Sequence, residues 1–249
     1  MAGGVCEGDA VAIGQALVVG ASSDIGAAIA ADLADLGYNI TAWGRDEARL
    51  QSTVERCRAA GQRTVADIVD VTDRPQTLRA AARLGDRGPL SVVVWAAGIF
   101  DWAAADAADP STWARVLDVN LTAAAFLTPL VLPPLLAAAP SALVYLGSGA
   151  ARQAYAHNAA YVASKHGVAG LAGATFLDVR DRGVKVSLVS PGLVAAGAGL
   201  LSGAGRHHPE RLLTAADVAA AVRFVVTFPG TGCPTEIRLE PQRSPDEAT

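Results

Sequence analysis

The most informative segment of the chain reads Ala16-Leu17-Val18-Val19-Gly20-Ala21-Ser22-Ser23-Asp24-Ile25-Gly26. Its four apolar residues predict a short strand, and the residues that follow predict a helix over 25–36 that ends at Gly37. A tight glycine turn between strand and helix lets backbone N–H groups approach a phosphate at the positive end of the helix, and Ser22 and Ser23 add hydroxyl donors. A glycine-rich turn alone is weak evidence, so the remainder of the chain has to support it.

Strands and helices alternate beyond this segment. Further strands are predicted over 39–43, 64–69, 90–95, 142–146, 184–189 and 233–241, and further helices over 46–60, 74–84, 110–136 and 160–179. This alternation predicts an α/β fold, a parallel sheet of about seven strands covered by helices on both faces. No linker or change of composition divides the chain, so we expect one domain over 15–241, an N-terminal extension over 1–14 and a disordered polar tail over 242–249.

A second segment has the residue types of a proton-transfer site. It reads Ser148-Gly-Ala-Ala-Arg-Gln-Ala-Tyr-Ala-His-Asn-Ala-Ala-Tyr161-Val-Ala-Ser-Lys165 and lies between a predicted strand and a predicted helix. Tyr161 and Lys165 are four residues apart, which places them on one helix face. A free tyrosine has a pKa of about 10, and an adjacent ammonium favours the phenolate and brings acid/base chemistry closer to neutral pH. An ordinary helix containing a Tyr and a Lys by chance is the alternative.

Composition limits the classes of function. The chain has 249 residues, 51% of them hydrophobic and 18% charged, which provides for a large core. Its net charge of −4 and lack of a long basic run argue weakly against a nucleic-acid partner. The three cysteines, Cys6, Cys57 and Cys233, are far apart and have no metal-ligand spacing. We therefore expect a reduced cytoplasmic protein with no metal site.

One stretch has the composition of a membrane span. No charged residue occurs between Asp118 and Arg152, and residues 121–139 are rich in Leu and Ala. Three prolines interrupt the stretch and a strand follows at once, so a buried helix or a subunit contact explains it better. The N-terminus has no cationic segment followed by a long apolar one, so no signal peptide is expected.

Taken together, these motifs resemble the short-chain dehydrogenase/reductase family over roughly residues 15–241. The order of the segments and the spacing from Ser148 to Tyr161 are more specific than any one motif. The resemblance implies a single-domain Rossmann fold of the doubly wound type. The matching motifs are the turn Gly20–Gly26, Asp70-Val71, Ala97-Gly98, Asn120, Ser148, Tyr161-x-x-x-Lys165 and Pro191-Gly192.

The resemblance implies a role for each catalytic residue. Tyr161 would be the general acid/base, Lys165 would hold the nicotinamide ribose and lower the tyrosine pKa, and Ser148 would position the substrate oxygen. Asn120 would support a water-linked proton path at a local break in its helix. The implied cofactor-binding residues are Gly20, Ser22, Ser23, Asp24, Ile25, Gly26, Arg45, Asp70, Val71, Ala97, Gly98, Tyr161, Lys165, Pro191, Gly192 and Val194.

The chain departs from the family pattern at four places. Asp24 replaces the middle glycine of the turn and is expected to act as an outward-facing helix cap. Trp95-Ala96 replaces two asparagines, and Ala196 stands where a threonine often bonds the nicotinamide carboxamide. The ending Glu236-Ile-Arg-Leu-Glu-Pro241 resembles that of a subgroup of NADPH-linked reductases.

NADP(H) is expected in preference to NAD(H). Gly44 ends the second strand, where an NAD site has an acidic residue that bonds the ribose hydroxyls. Arg45 follows and can bind a 2′-phosphate through two parallel hydrogen bonds, although an ion pair with Asp46 could compete for the guanidinium.

The predicted function is reduction of a small or medium ketone or aldehyde, or oxidation of a secondary alcohol. The alternatives are an epimerase or dehydratase on the same fold, and a cofactor-binding regulatory protein. The charge-free helices predict a homotetramer or homodimer. Near the substrate, residues 195–205 form a glycine-rich candidate lid, His157, His207 and His208 are candidate contacts, and Trp102 lies at the pocket mouth or covers the core.

Overall fold

The computed structural model describes residues 13–244, and within them seven strands form one parallel sheet. The predicted extension 1–14 and tail 242–249 lie mostly outside the described residues. The strands are β1 Gln15–Val19, β2 Asn39–Gly44, β3 Thr64–Ile68, β4 Leu90–Trp95, β5 Ser141–Leu146, β6 Val184–Pro191 and β7 Glu236–Leu239.

The strand order is β3-β2-β1-β4-β5-β6-β7. The chain therefore winds outward from β1 in one direction and then returns to β4 to wind in the other. A crevice forms at the carboxyl ends of β1 and β4, where the winding reverses, and ligands bind at such crevices in doubly wound sheets. The seven-stranded α/β fold predicted from the alternation is confirmed.

Helices cover both faces of the sheet. The α-helices are α1 Asp24–Asp35, α2 Glu47–Ala59, α3 Arg74–Ala82, α4 Pro110–Leu117, α5 Ala123–Ala137, α6 Ala159–Val179, α7 Ala198–Leu201, α8 Gly203–His207 and α9 Ala215–Thr227. One core lies between the sheet and α3, α5 and α6, and the other between the sheet and α1, α2 and α9. Because both faces are covered, β1 has all five residues buried, and its last four residues are a continuous apolar run.

The single long helix predicted over 110–136 is divided. A π-helical segment, Asp118–Thr122, separates α4 from α5 and contains Asn120. Such segments insert an extra residue into a helix and occur frequently at functional sites. The local break expected at Asn120 is therefore confirmed.

The same region is the one membrane-span candidate among residues 13–244. The stretch Pro110–Ala137 is long and apolar enough to cross a bilayer, and 44% of its most apolar window is buried. Core helices of water-soluble proteins pass the same test, so this is weak evidence for a span.

Candidate active site

The turn after β1 is built so that side chains are excluded from it. Gly20 has φ of 91°, and a Cβ there would lie 2.6 Å from the backbone nitrogen of Ala97. A Cβ on Gly26 would lie 2.2 Å from the Gly20 carbonyl oxygen. Only glycine permits both approaches, so the turn leaves an open cradle of backbone at the start of α1.

The N-cap of α1 is Ser23, which corrects the expectation that Asp24 caps the helix. The Ser23 hydroxyl accepts a hydrogen bond from the Gly26 N–H at 3.0 Å. Asp24 is the first helical residue, and its carboxylate pairs with Arg49 of α2 at 2.6 Å. The serine precedes the helix by one residue, which is where a side-chain oxygen reaches the free N–H groups.

A cavity of about 270 Å³ opens in the crevice beside this turn. Gly44 keeps it open, because a Cβ there would lie 2.6 Å from the Ser22 hydroxyl oxygen. Glycine backbone, serine hydroxyls and two arginines along one cleft fit a phosphate-bearing dinucleotide. Eight of the predicted cofactor residues line the cavity: Gly20, Ser22, Ser23, Arg45, Asp70, Val71, Ala97 and Gly98.

Other predicted cofactor residues lie elsewhere. Asp24, Ile25 and Gly26 form the first turn of α1 behind the cavity lining. Pro191 ends β6, with Gly192 and Val194 just after it, and Gly192 packs beside Glu240 and Pro241. The described cavity therefore covers one half of the predicted binding site.

The sequence motifs did not predict Arg49 or the residues that line the cavity around it. The missed lining residues are Trp43, Asp46, Arg49, Val69, Ala96, Ile99 and Val119. Arg45 precedes the N-cap of α2 and Arg49 lies in its first turn, so no helical spacing in the sequence indicates that the two arginines meet at the cavity.

Arg45 has a different partner from the one expected. Asp46 is the N-cap of α2 and accepts from the Arg49 N–H at 3.0 Å. The nearest carboxylate to Arg45 is that of Asp70, with 4.0 Å between Nη1 and Oδ2. Both side chains are about half exposed, and such pairs contribute about 0–1 kcal/mol. Arg45 is therefore held loosely at the cavity.

Asp70 is fixed by its own loop. Its Oδ1 accepts from the Thr72 N–H at 3.0 Å and from the Thr72 hydroxyl at 2.7 Å. Burial raises the pKa of Asp70, but these bonds and Arg45 outweigh it, so the pKa lies below its usual value. The carboxylate is charged at neutral pH and its Oδ2 faces Arg45.

Lys165 is anchored beneath the predicted catalytic tyrosine. It is buried, and Nζ donates to the Leu146 carbonyl oxygen at 2.8 Å. Nζ also lies 5.6 Å from the centre of the Tyr161 ring. Burial lowers the pKa of Lys165 to about 8.

Burial also raises the pKa of Tyr161, opposite to the direction expected from a lysine neighbour, and a hydrogen bond with Ser148 only partly offsets it. Two effects explain the difference. Desolvation penalises the phenolate form of Tyr161. The same burial makes the ammonium form of Lys165 less favourable, and that ammonium is directed at a carbonyl oxygen. The phenol of the chain without cofactor is therefore neutral at neutral pH.

Asn120 connects the crevice to α6. Its Oδ1 accepts from the Ile99 N–H at 2.8 Å, and its Nδ2 donates to the Ile99 carbonyl and to the Ser164 hydroxyl. A Cβ on Gly98 would lie 3.5 Å from Asn120 Oδ1 and 3.8 Å from Lys165 Nζ. The end of β4, the π segment and α6 thus meet at one point.

Residues 15–201 match the family described as short chain dehydrogenase. The chain belongs to the short-chain dehydrogenase family. Members of this family are NAD(P)-dependent oxidoreductases.

Individual relatives agree with this assignment. A cis-4-hydroxycyclohexanecarboxylate dehydrogenase of Sinomonas cyclohexanicum is 33% identical over 235 residues, covering 88% of this chain and 92% of the relative. A variant of actinorhodin polyketide ketoreductase solved with NADPH has a TM-score of 0.83 and 28% identity, over 91% of this chain and 94% of that one. A metagenomic short-chain oxidoreductase solved with NADP has a TM-score of 0.80 and 28% identity, over 92% of this chain and 98% of that one.

Three departures of this short-chain dehydrogenase from the family pattern have a structural outcome. Trp95 is buried, and its Nε1 has no hydrogen-bond partner among the described residues, so the bracing bonds of an asparagine are not replaced there. Ala196 is buried in the core beside α9. Glu236 forms a two-point ion pair with Arg152, at 3.0 and 2.6 Å, which ties β7 to the loop after Ser148.

The glycine-rich segment after β6 is more tightly packed than expected of a lid. A Cβ on Gly199 would lie 1.9 Å from the Val194 carbonyl oxygen, and one on Gly205 would lie 2.0 Å from that of Gly199. Gly205 therefore allows close contact between α7 and α8, and Gly199 allows close contact between α7 and the segment before it.

Proposed function

We propose that the chain is an NADP(H)-linked carbonyl reductase, and in the reverse direction an alcohol dehydrogenase, with Tyr161 as the general acid/base. The observation that carries this is that Ser148 and Lys165 both lie beside Tyr161 at the carboxyl ends of β4 and β5, next to the cavity lined by Gly98. Bound nicotinamide cofactor supplies the hydride. The chain supplies the proton and the orientation of the carbonyl.

The raised pKa of Tyr161 suits donation of a proton to a carbonyl at neutral pH. A neutral phenol donates its proton to a carbonyl oxygen as hydride reaches the carbon, and Ser148 holds that oxygen against the phenol. Oxidation of an alcohol needs the phenolate instead, and burial makes that form costly. We therefore expect oxidation to require a higher pH than reduction.

NADP(H) is the proposed cofactor because of the charges around Gly44. No acidic side chain ends β2, so the carboxylate that an NAD site places at that position is missing among the described residues. Arg45 and Arg49 both line the cavity. Their carboxylate partners, Asp70 and Asp24, sit in half-exposed pairs of small energy that a doubly charged phosphate can displace.

Replacement of each arginine tests the cofactor proposal. Arg45→Ala and Arg49→Ala should each weaken NADPH binding about tenfold, because each removes a hydrogen bond to a charged group. NADH binding should change little. Titration of cofactor fluorescence measures both constants, and Arg56→Ala at the far end of α2 is a control of equal charge. A wild type that binds NADH more tightly would contradict the proposal.

The proposal includes a cytoplasmic homodimer or homotetramer that acts on small molecules and binds neither membrane nor nucleic acid. Its support is the reduced-cysteine composition and the small, uncharged residues exposed on α6.

The reaction itself is tested by following NADPH oxidation with a panel of ketones and aldehydes. At least one compound should be reduced with saturation kinetics. Tight NADPH binding with no turnover of any carbonyl compound would favour the regulatory alternative.

A further inference from the structure

Three aromatic side chains, Phe100, Trp102 and His157, continue outward from Tyr161, and we call them the aromatic wall. Phe100 packs edge-on to the Tyr161 ring, with 4.9 Å between ring centres. Trp102 lies 5.8 Å beyond Phe100, and His157 stacks on Trp102 at 6.4 Å with 22° between the planes. The wall thus begins at the proposed proton donor and extends away from it.

The wall is exposed, although its residues are of the type that proteins bury. Phe100 is 37% exposed and Trp102 is 65% exposed. Neither belongs to the two cores of the described chain, so Trp102 does not serve as a core cover. Apolar surface left open beside a reactive group is typical of a ligand site.

The position of the wall is fixed by a strained residue. His157 has φ of 61°, the one positive φ of a non-glycine residue among residues 13–244. Its carbonyl oxygen accepts from the Ala103 N–H at 3.0 Å, which joins the loop after β4 to the loop before α6. Left-handed backbone at such a residue costs energy and is retained where the surroundings hold it. Here it sets the imidazole against the indole.

From this geometry we propose the substrate class: a ketone carried on a flat carbocyclic ring or fused ring system, whose ring lies on Phe100 and Trp102 while its carbonyl reaches Tyr161. The inference rests on the proposed carbonyl reduction. Flat rings pack on aromatic faces and edges with a gain beyond the buried area, and they lose less conformational freedom on binding than an open chain does.

Two ketones with the same number of carbon atoms test the substrate class, 2-tetralone with fused rings and 2-decanone with an open chain. Wild type should have a kcat/KM at least about tenfold higher for 2-tetralone, and Trp102→Ala should remove most of that preference. Phe224→Ala is the matched control, because Phe224 is an exposed aromatic on α9 that packs on Phe228, and it should leave the ratio unchanged. Equal kcat/KM values in wild type, or an unchanged ratio in Trp102→Ala, would overturn the inference.

A binding measurement separates this inference from the proposed function. In Tyr161→Phe, 2-tetralone should quench tryptophan fluorescence with saturation, and the quenching should vanish when Trp102→Phe is added. Trp43 and Trp95 are buried and Trp113 is partly buried on α4, so the loss of quenching on adding Trp102→Phe isolates the contribution of Trp102. Such quenching in a protein that reduces no ketone would retain the ring site and reject the reductase. Reduction of 2-decanone and 2-tetralone alike would retain the reductase and reject the ring site.

Discussion

Tyr161 and Lys165 illustrate how burial changes the chemistry of a residue pair. Their spacing in the sequence predicts that they share one helix face, and the structure confirms that they are neighbours on α6. The direction of the pKa shifts cannot be predicted from the sequence, because it depends on how much water each group loses on folding. Burial pushes both groups toward their neutral forms, lysine downward and tyrosine upward.

The pH dependence of stability should reveal the buried lysine. The pKa of Lys165 is lowered to about 8, whereas an unfolded lysine has about 10.4. Between these values the unfolded state binds more protons, so the free energy of unfolding should rise with pH, by about 3 kcal/mol in total. Lys165→Met should remove this rise. Urea unfolding of the cofactor-free protein at several pH values measures it, and identical pH slopes in the two proteins would contradict the assignment.

At the scale of elements, the strands and the glycine turn were predictable, while their edges and contacts were not. Apolar runs located the inner strands, which helices cover on both faces, whereas the edge strands β3 and β7 are partly exposed and have mixed sequences. The position of Arg49 at the cavity depends on how α2 packs, and the aromatic wall depends on two loop conformations. Neither has a periodic signal in the sequence.

The carboxylate of Asp67 bonds the edge strand β3 to its neighbours. Asp67 accepts from Arg87 at 2.7 Å, from Arg83 at 3.0 Å and from the Trp43 indole at 3.1 Å. Burial raises the pKa of Asp67, but the two guanidinium groups outweigh it and the pKa lies below the usual range. The ionised carboxylate therefore stabilises the fold above the ordinary aspartate pKa, and this is lost as the pH falls through the lower folded-state value.

Asp67→Asn tests this tie. At neutral pH the substitution should lower the free energy of unfolding by about 1–3 kcal/mol, and the loss should shrink as the pH falls below about 4. Denaturant titrations at neutral pH and below about pH 4 measure the free energy of unfolding in each protein. Asp86→Asn, on the exposed neighbouring loop, is the control. A loss that is equal at the two pH values would show that the charge of Asp67 is not what holds β3.

At the scale of the whole molecule, α6 presents a face that one protomer leaves open. A Cβ on Gly170 or Gly173 would meet nothing within 4 Å, and Leu177 on the same helix is 63% exposed. Small residues allow two helices to approach closely, which suits a two-fold contact between copies.

Gly173→Arg should therefore convert the expected dimer or tetramer to a smaller species without unfolding the protomer. The added side chain has open space within the chain, and its charge cannot be buried in an apolar contact without a partner. Light scattering at micromolar protein measures the mass, and Gly85→Arg, at another open glycine, should leave it unchanged. A wild type that is monomeric would reject the oligomer.

In the proposed mechanism, the Tyr161 phenol delivers the proton while the rest of the site binds cofactor and substrate. Its most direct test is the rate of NADPH oxidation by Tyr161→Phe with a ketone that wild type reduces, measured beside NADPH affinity in both proteins. The phenyl ring keeps the packing against Phe100, so affinity should stay near that of wild type. The rate should fall by at least about 10²–10⁴-fold, the loss associated with a positioned general acid. A variant that binds NADPH normally and turns over at the rate of wild type would contradict the role of Tyr161 as proton donor.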